Sequence, residues 1–407
     1  MLSRGVYITF SYYAFFPFVS NCRETNGLNR VRVKSFLIKI RELFNFVFSI
    51  IDIQCSIFGI SNSLIRKTTL MKKILYIGNK LSKHGFTPTN IETLGAFLEE
   101  EGYHVFYASD KQKQLLRFLD MGYSIVKYRK KVDYVLIDTY STFSFWYAFM
   151  VSQLCRLFGM KYIPILHGGN LPHRLDHNPR IAKMIFNHSF KNVAPSGYLM
   201  DAFAKRHFAN LVFVPNTIDL KDYPYTDKRD FAVPKLLWVR SFATLYNPKM
   251  AVDVLKTMQI TYPTAQLCMV GPDKDGSLET TRAYAKEQNV EVTFTGRLSK
   301  AEWVLLSKNY NVFINTTNFD NTPVSVIEAM CLGLPVVTTR VGGIPFLLEN
   351  RKTALLIEEG AVLEMASSVQ ELITDTELRT ALIQNGRKKG ESFDWHQVKQ
   401  KWDEVLN

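Results

Sequence analysis

The stretch that decides the fold runs from Phe313 to Gly343 and reads FINTTNFDNTPVSVIEAMCLGLPVVTTRVGG. It parses as strand, loop, capped helix, glycine turn, buried strand and glycine pair. Thr322 is expected to cap the helix. Pro323 suits its first turn, where the missing N–H has no intrahelical role, and Gly333 supplies a left-handed stop. The loop Asn318-Phe319-Asp320-Asn321 brings backbone N–H groups and the positive helix end together, a ready anion site worth about 0.3–1 kcal/mol per charge. Inside the otherwise apolar helix stands Glu328, eight residues after Asp320. A carboxylate there is costly unless it faces a polar cleft or a partner. It either accepts the hydroxyls of a ribose, at about 1.5–3 kcal/mol for each charge-assisted bond, or pairs with a basic residue for structural reasons. Spacing alone leaves both readings open.

Outward from this stretch, short apolar runs alternate with helical ones. In the second half strands are expected at Leu236–Val239, Gln266–Val270, Val292–Thr295, Val312–Asn315 and Val336–Thr339. An earlier series has Ile74–Gly78, His104–Ala108, Tyr134–Asp138, Tyr162–Leu166 and Leu211–Val214. Thr89 and Glu92 have capping-box spacing ahead of the face Ile91, Leu94, Leu98. Strands separated by helices imply parallel pairing. The fold expected is α/β, two Rossmann-like doubly wound domains facing each other across a cleft. The divisions are an atypical extension at 1–70, a first domain at 71–218, a second at 219–391, and a terminal helix at 392–407 that packs back on the first domain. Asn216 to Tyr225, with Pro215 and Pro224 at its margins, is the linker.

The 407 residues suffice for two full cores, and 47% apolar with 21% charged is ordinary for globular proteins. The net charge of +13 favours anionic partners without choosing among them. The five cysteines, Cys22, Cys55, Cys155, Cys268 and Cys331, have neither metal-ligand spacing nor the pattern of a disulfide framework. A reducing cytosol is the simplest compartment, with the inner face of the membrane as a second address. Val6–Ser20 is short and contains Pro17, and Leu43–Ile60 carries Asp52 and Gln54 near its centre, so neither is expected to span a bilayer. The break in composition before Met71-Lys72-Lys73 suggests that natural translation starts at Met71. The alternative is a membrane-associating extension.

The decisive stretch resembles the donor-binding motif of the retaining glycosyltransferases of family 4, which have the GT-B fold. The matches are Asp320 and Glu328 as two acids separated by seven residues, Gly333-Leu334-Pro335, and Gly342-Gly343-Ile344-Pro345. The likeness extends over nearly all of residues 71–407. Asp320 is one methylene shorter than the usual Glu, and Phe346 stands where a Glu often closes the glycine motif. The resemblance implies a metal-independent transfer of a sugar, with retention, from a UDP- or GDP-linked donor to a glycan or lipid-linked acceptor, and no cofactor. It assigns Glu328 to the ribose, Arg240 and Lys249 to the diphosphate, and Asp320 and His167 to the transferred sugar. Asn247-Pro248 interrupts the usual Lys-Gly, which makes Lys249 the nearest lysine. Gly85 matches the loop that approaches the donor phosphates closely, and Thr322 completes the binding set at the helix end. His167, in LHGGN, would by itself read as a structural histidine; its place after a buried strand and before two glycines fits the family's active-site residue.

Two further motifs are expected to be bland. Asp273-Lys274-Asp275 spells the metal-binding Asp-x-Asp of another glycosyltransferase fold but reads as a solvated turn. The run Lys127, Arg129, Lys130, Lys131 reads as a solvated face or, second, as contact with anionic lipid. It lacks the interleaved aromatics that would make nucleic acid a partner. A nucleotide-sugar epimerase or hydrolase on the same fold, and a non-catalytic basic membrane- or polysaccharide-binding protein, are the alternatives.

Overall fold

A computed structural model describes residues 72–85 and 89–407. The extension 1–70, its two apolar stretches, Cys22, Cys55 and the expected start at Met71 lie outside the described residues. The first sheet comprises β1 (Lys73–Ile77), β2 (His104–Ala108), β3 (Tyr134–Thr139), β4 (Lys161–Leu166), β5 (Asn192–Ala194) and β6 (Leu211–Phe213). The second comprises β7 (Lys235–Val239), β8 (Gln266–Val270), β9 (Thr293–Gly296), β10 (Val312–Asn315), β11 (Val336–Thr339) and β12 (Leu355–Ile357). Helices fill the connections of the first domain: α1 (Asn90–Glu100), α2 (Gln114–Tyr128), α3 (Ser144–Leu157), α4 (Leu171–His177), α5 (Pro179–Phe186) and α6 (Gly197–Ala204). The second domain has α7 (Pro248–Thr261), α8 (Ser277–Glu287), α9 (Lys300–Leu306), α10 (Val324–Cys331), α11 (Ile344–Leu347), α12 (Val362–Thr374) and α13 (Thr376–Glu391), and the chain ends in α14 (Trp395–Leu406).

Every strand pair is parallel. The central strands read as continuous apolar runs because helices cover both faces: all six residues of β3, YVLIDT, are buried. The sheet orders are β2-β1-β3-β4-β5-β6 and β12-β11-β10-β7-β8-β9. Strand order therefore reverses direction between β1 and β3 in one sheet and between β7 and β10 in the other. Ligands of doubly wound folds enter at the carboxyl ends of strands beside such switch points.

The sequence reading missed two strands, β5 and β12. Each has only three residues, too few to show a period. It also misplaced the start of α10. Pro323 is the residue that caps the helix and stays extended, at φ −69° and ψ 106°, so the helix begins at Val324. Thr322 precedes the cap, and its buried hydroxyl has no partner among the described residues. Gly333 does take the left-handed stop, at φ +76°. At the start of α1 the expected capping box is present: the Glu92 carboxylate accepts the Thr89 N–H at 3.1 Å, and the Thr89 hydroxyl also donates to the Asn79 carbonyl at 2.9 Å.

α10 is buried at every position except its first. α13 packs so closely on it that a Cβ on Gly390 would lie 2.4 Å from the Cys331 sulfur. A helix enclosed in this way is apolar all round, which isolates Glu328 as its one charge. Beyond α13 the chain crosses between the domains beside the linker. Ile218 N–H donates to the Phe393 carbonyl at 2.9 Å, and Trp395 N–H donates to the Ile218 carbonyl at 3.0 Å. α14 then lies on the first domain. Trp395, Val398, Trp402 and Val405 join a core with Ile74, Leu98 and Val105, and the Tyr103 hydroxyl donates to Asp403 at 2.9 Å.

Candidate active site

In the first domain the site is built on two strand ends. Asp138 is near the end of β3, and His167 directly follows β4. His167 Nε2 lies 2.9 Å from Asp138 Oδ1, which also accepts from the Tyr76 hydroxyl at 3.0 Å. The Asn90 amide donates to that same hydroxyl at 2.8 Å. The His167 ring stacks on Tyr140 with centroids 4.8 Å apart. Asp138 Oδ2 is buried without a partner and is crowded by Gly78, where an added Cβ would meet it at 2.7 Å. Asp138 and its network fix the ring from one side, so the imidazole has one orientation at the mouth of the sheet.

In the second domain Arg240 follows β7 and Asp320 lies beyond β10, on either side of the switch point. Their side chains form an ion pair, each 14% exposed. The Arg240 guanidinium also sits over the Tyr246 ring, 4.1 Å from its centroid. Asp320 Oδ1 accepts the Asn321 N–H at 2.8 Å. Burial raises the Asp320 carboxyl above its ordinary value, against the opposing pull of Arg240 and the backbone N–H groups of Asn321 and Thr322. Close approach is needed under both residues. Gly271 passes so near Arg240 that a Cβ would meet its carbonyl at 1.8 Å, and a Cβ on Gly343 would meet the Asn321 carbonyl at 1.9 Å. At the start of α10 the hydroxyls of Thr322 and Ser325 are buried and unpartnered, as is Arg240 Nε.

Glu328 is 7% exposed. Its Oε1 accepts from the Tyr223 hydroxyl at 2.5 Å and lies 3.5 Å from Lys300 Nζ. Burial raises the Glu328 carboxyl, countered by Lys300 and Tyr223. Burial and the adjacent carboxylate push the Tyr223 phenol far up, which keeps it a donor. Part of the structural alternative is thus present, since Glu328 does have a basic neighbour. That neighbour is half exposed and leaves the second carboxylate oxygen available.

The two halves meet directly. Ser196 Oγ donates to Asn321 Oδ1 at 2.5 Å. Gly169, two residues after His167, abuts Phe319: a Cβ there would lie 2.1 Å from the ring. Tyr198 packs edge-on to Phe319 and Phe346, at 5.9 and 6.1 Å between centroids. The loops that carry His167 and Asp320 therefore meet through the Gly169–Phe319 contact. Gly85 is at the same boundary, with φ +84° and its carbonyl 3.4 Å from Arg297 Nη1. Lys249 is elsewhere. It is exposed on α7, with its ammonium over the Tyr284 ring, 5.2 Å from the centroid.

Sequence reading missed Tyr223, Lys300, Arg297, Asp138 and Asn321. Arg297 and Lys300 follow β9 and Asp138 ends β3, so position at a strand's carboxyl end was the available signal; for Tyr223 there was none. Asp273 accepts the local Gly276 N–H at 3.1 Å, as a turn does, and Asp275 also accepts the distant Thr244 N–H at 2.9 Å, which ties the turn to the loop after β7. Among the described residues no cluster of three potential ligands is placed to hold a metal.

Residues 229–389 match the family model of glycosyl transferases group 1. That match lies within the second domain and is a similarity to this family, while the two facing α/β domains form the GT-B fold. Among curated relatives, the sulfoquinovosyl transferase SQD2 of Arabidopsis thaliana is 27% identical over 36% of this chain and 28% of its own length. The capsular polysaccharide biosynthesis glycosyltransferase CapM of Staphylococcus aureus is 31% identical over 32% of this chain and 35% of its own. The chain thus spans about a third of the length of these relatives. Among solved structures, Alr3699/HepE of Anabaena in complex with UDP and glucose superposes with a TM-score of 0.66 at 16% identity, covering 83% of this chain and 99% of the other. The sucrose-phosphate synthase of Thermosynechococcus elongatus gives 0.68 at 18% identity, covering 82% and 98%.

Proposed function

We propose that the protein is a glycosyltransferase that moves a sugar from a nucleotide-sugar donor to a glycan or lipid-linked acceptor with retention of configuration. The observation that carries the reading is the meeting of Arg240 and Asp320 beside the switch point of the second sheet. The unpartnered hydroxyls of Thr322 and Ser325 at the start of α10 adjoin them, and His167 stands opposite. The site offers one guanidinium, a helix end and two hydroxyls to a diphosphate, and a carboxylate to a ribose. UDP in the Alr3699/HepE complexes supports uridine diphosphate as the leaving group.

In this reading Glu328 accepts ribose hydroxyls through its free oxygen, while Tyr223 and Lys300 hold the other. Arg240 turns from Asp320 toward the diphosphate as charge develops on it, and preorganised donors are most effective at that moment. The bond between the sugar carbon and the diphosphate oxygen breaks. The acceptor hydroxyl attacks from the same face, and its proton passes to the departing phosphate oxygen. Asp320 and His167 position the sugar between them. The domain interface around Phe319 excludes water and limits donor hydrolysis. With the leaving charge met by Arg240 and the helix end, transfer proceeds without a metal ion.

The test is calorimetric titration with UDP and GDP, followed by product analysis with and without acceptor. Binding of one nucleotide, sugar transfer only with acceptor, an unchanged anomeric configuration and insensitivity to chelator are expected. Binding of neither nucleotide overturns the reading.

A further inference from the structure

A cavity of about 360 Å³ lies in the first domain, away from the residues assigned above. It opens between the carboxyl ends of β1 and β2 and the helix α2. Lys80, Lys111, Lys127, Tyr107, Tyr123 and Tyr128 line it together with the carboxylates of Asp110 and Asp120. The charges do not cancel evenly: three lysines, Lys80, Lys111 and Lys127, stand against two carboxylates, Asp110 and Asp120. Asp110 is already shared by Lys83 and by Lys111, the latter at 3.1 Å, and those two lysines hold its carboxyl at about 2. Lys80 and Lys127 have no carboxylate partner among the described residues. Each instead rests on an aromatic face. Lys80 Nζ is 3.3 Å from the Tyr107 ring centroid and Lys127 Nζ is 5.1 Å from that of Tyr128. Tyr128 is braced from behind by Phe106, with centroids 4.4 Å apart. Tyr123, 65% exposed, leaves its ring uncovered at the rim.

Two unneutralised ammonium groups and an uncovered tyrosine ring in one polar hollow suit a ligand that is both ring-shaped and acidic. We propose that this cavity binds an anionic sugar unit of the acceptor, a saccharide bearing a phosphate or a carboxylate. The sugar face rests on Tyr123 and the acid between Lys80 and Lys127. The inference rests on the glycosyltransferase reading for the word acceptor, and on the cavity alone for the ligand's chemistry. The strand order sets the distance. From β2, strands β1, β3 and β4 follow in turn, so His167 lies three strand spacings away, about 14 Å. All these strands are parallel, so cavity and histidine open at the same end of the sheet. A unit held in the cavity is therefore not the one that receives the sugar. The acceptor reaches across β1 and β3, which makes it an oligosaccharide rather than a monosaccharide.

The experiment titrates the full chain, with saturating UDP occupying the donor site, with glucose 1-phosphate, glucuronic acid, glucose and inorganic phosphate, read calorimetrically. Saturable binding of glucose 1-phosphate or glucuronic acid is expected, at least tenfold tighter than glucose or inorganic phosphate. The tighter of the two acids identifies the acidic group. The double variant Lys80→Ala, Lys127→Ala weakens that binding at least tenfold, and Tyr123→Ala weakens it about fivefold, while the UDP affinity of both stays unchanged. Absence of saturable binding by either sugar acid overturns the proposal. So does binding that survives the double variant, or inorganic phosphate binding as tightly as the sugar acids. If UDP does not bind, GDP takes its place; failure of both nucleotides refutes the glycosyltransferase reading instead, and the sugar-acid titration then proceeds without nucleotide.

Discussion

Each domain buries a carboxylate at the carboxyl end of its sheet and gives it a nitrogen partner, but the two pairs are built differently. Asp138 belongs to a central strand, its side chain is 1% exposed, and both Tyr76 and His167 bond to the same oxygen. Asp320 lies on a loop, is 14% exposed, and shares its arginine with the Tyr246 ring. A strand-borne pair inside a four-residue network has one arrangement. A loop-borne pair whose cation already has a second resting place can be parted by an arriving anion. On the function proposed above, the first domain's pair fixes a ring, and the second domain's pair receives charge.

The largest expected effect breaks the receiving pair. Arg240→Ala removes the diphosphate's cation and leaves Asp320 buried without its counter-charge. Transfer, followed by released nucleotide, should fall about 100- to 1000-fold, the scale of losing one preorganised donor. Arg240→Lys should recover only part, because an ammonium lacks the fork that spans carboxylate and phosphate. Activity within threefold of the parent would show that the second-domain pair is structural. Breaking the fixing pair should act differently. Asp138→Asn weakens the bonds that orient His167 and should cost about 1–3 kcal/mol of stability, read as a lower denaturation midpoint in urea. Transfer should fall with it, less than for Arg240→Ala.

A third expectation concerns pH. Burial raises both Asp320 and Glu328 above ordinary carboxylate values. A raised folded value means that stability from these groups is present below the unfolded carboxylate value and is lost as pH rises through the folded one. Nucleotide binding runs the opposite way, because only the ionised Glu328 accepts two hydroxyls. UDP affinity should therefore decline on acidification at a pH above that of a free glutamate. Lys300→Ala removes the largest influence holding Glu328 down, with Tyr223 next and Asp222 opposing, so the acid limb should move to higher pH. Titrating UDP affinity against pH in both proteins measures the displacement; a limb that stays in place would separate Glu328 from the nucleotide.

Much of this arrangement was legible before any coordinates. Ten of the strands could be read from their apolar runs, and β7 and β10 put Arg240 and Asp320 at one edge of the sheet because residues just after parallel strands must lie there. What escaped has physical causes. β5 opens on the buried polar Asn192, whose amide donates to the Phe186 carbonyl at 3.0 Å, a tertiary contact with no local signal. Thr322 looked like a cap because capping residues precede helices, but the following Pro323 holds an extended ψ and delays the first turn. Tyr223 and Lys300 reach Glu328 from positions 105 and 28 residues away in the chain, and no spacing rule connects them. The first-domain cavity was invisible for the same reason: Lys80 and Lys127 are 47 residues apart in the chain, and no spacing rule connects them.

The smallest expected effect sharpens the comparison most. Family spacing nominated Lys249 as the second diphosphate cation, because it is the first lysine after Arg240 in the chain. Pro248 opens α7 and Lys249 is its second residue. Its ammonium rests over Tyr284, whose hydroxyl is held by Asp253 at 2.7 Å. An exposed cation over a ring contributes about 0.5–1 kcal/mol, so Lys249→Ala should lower stability by no more than that. The donor KM should change less than twofold, whereas Lys300→Ala should raise it severalfold by loosening Glu328. Steady-state kinetics on the two variants, side by side, decides which lysine belongs to the site. A tenfold rise in KM for Lys249→Ala would mean that α7, not α9, turns its cation toward the nucleotide, and that the receiving pair is completed by sequence-adjacent chain rather than by the far end of β9.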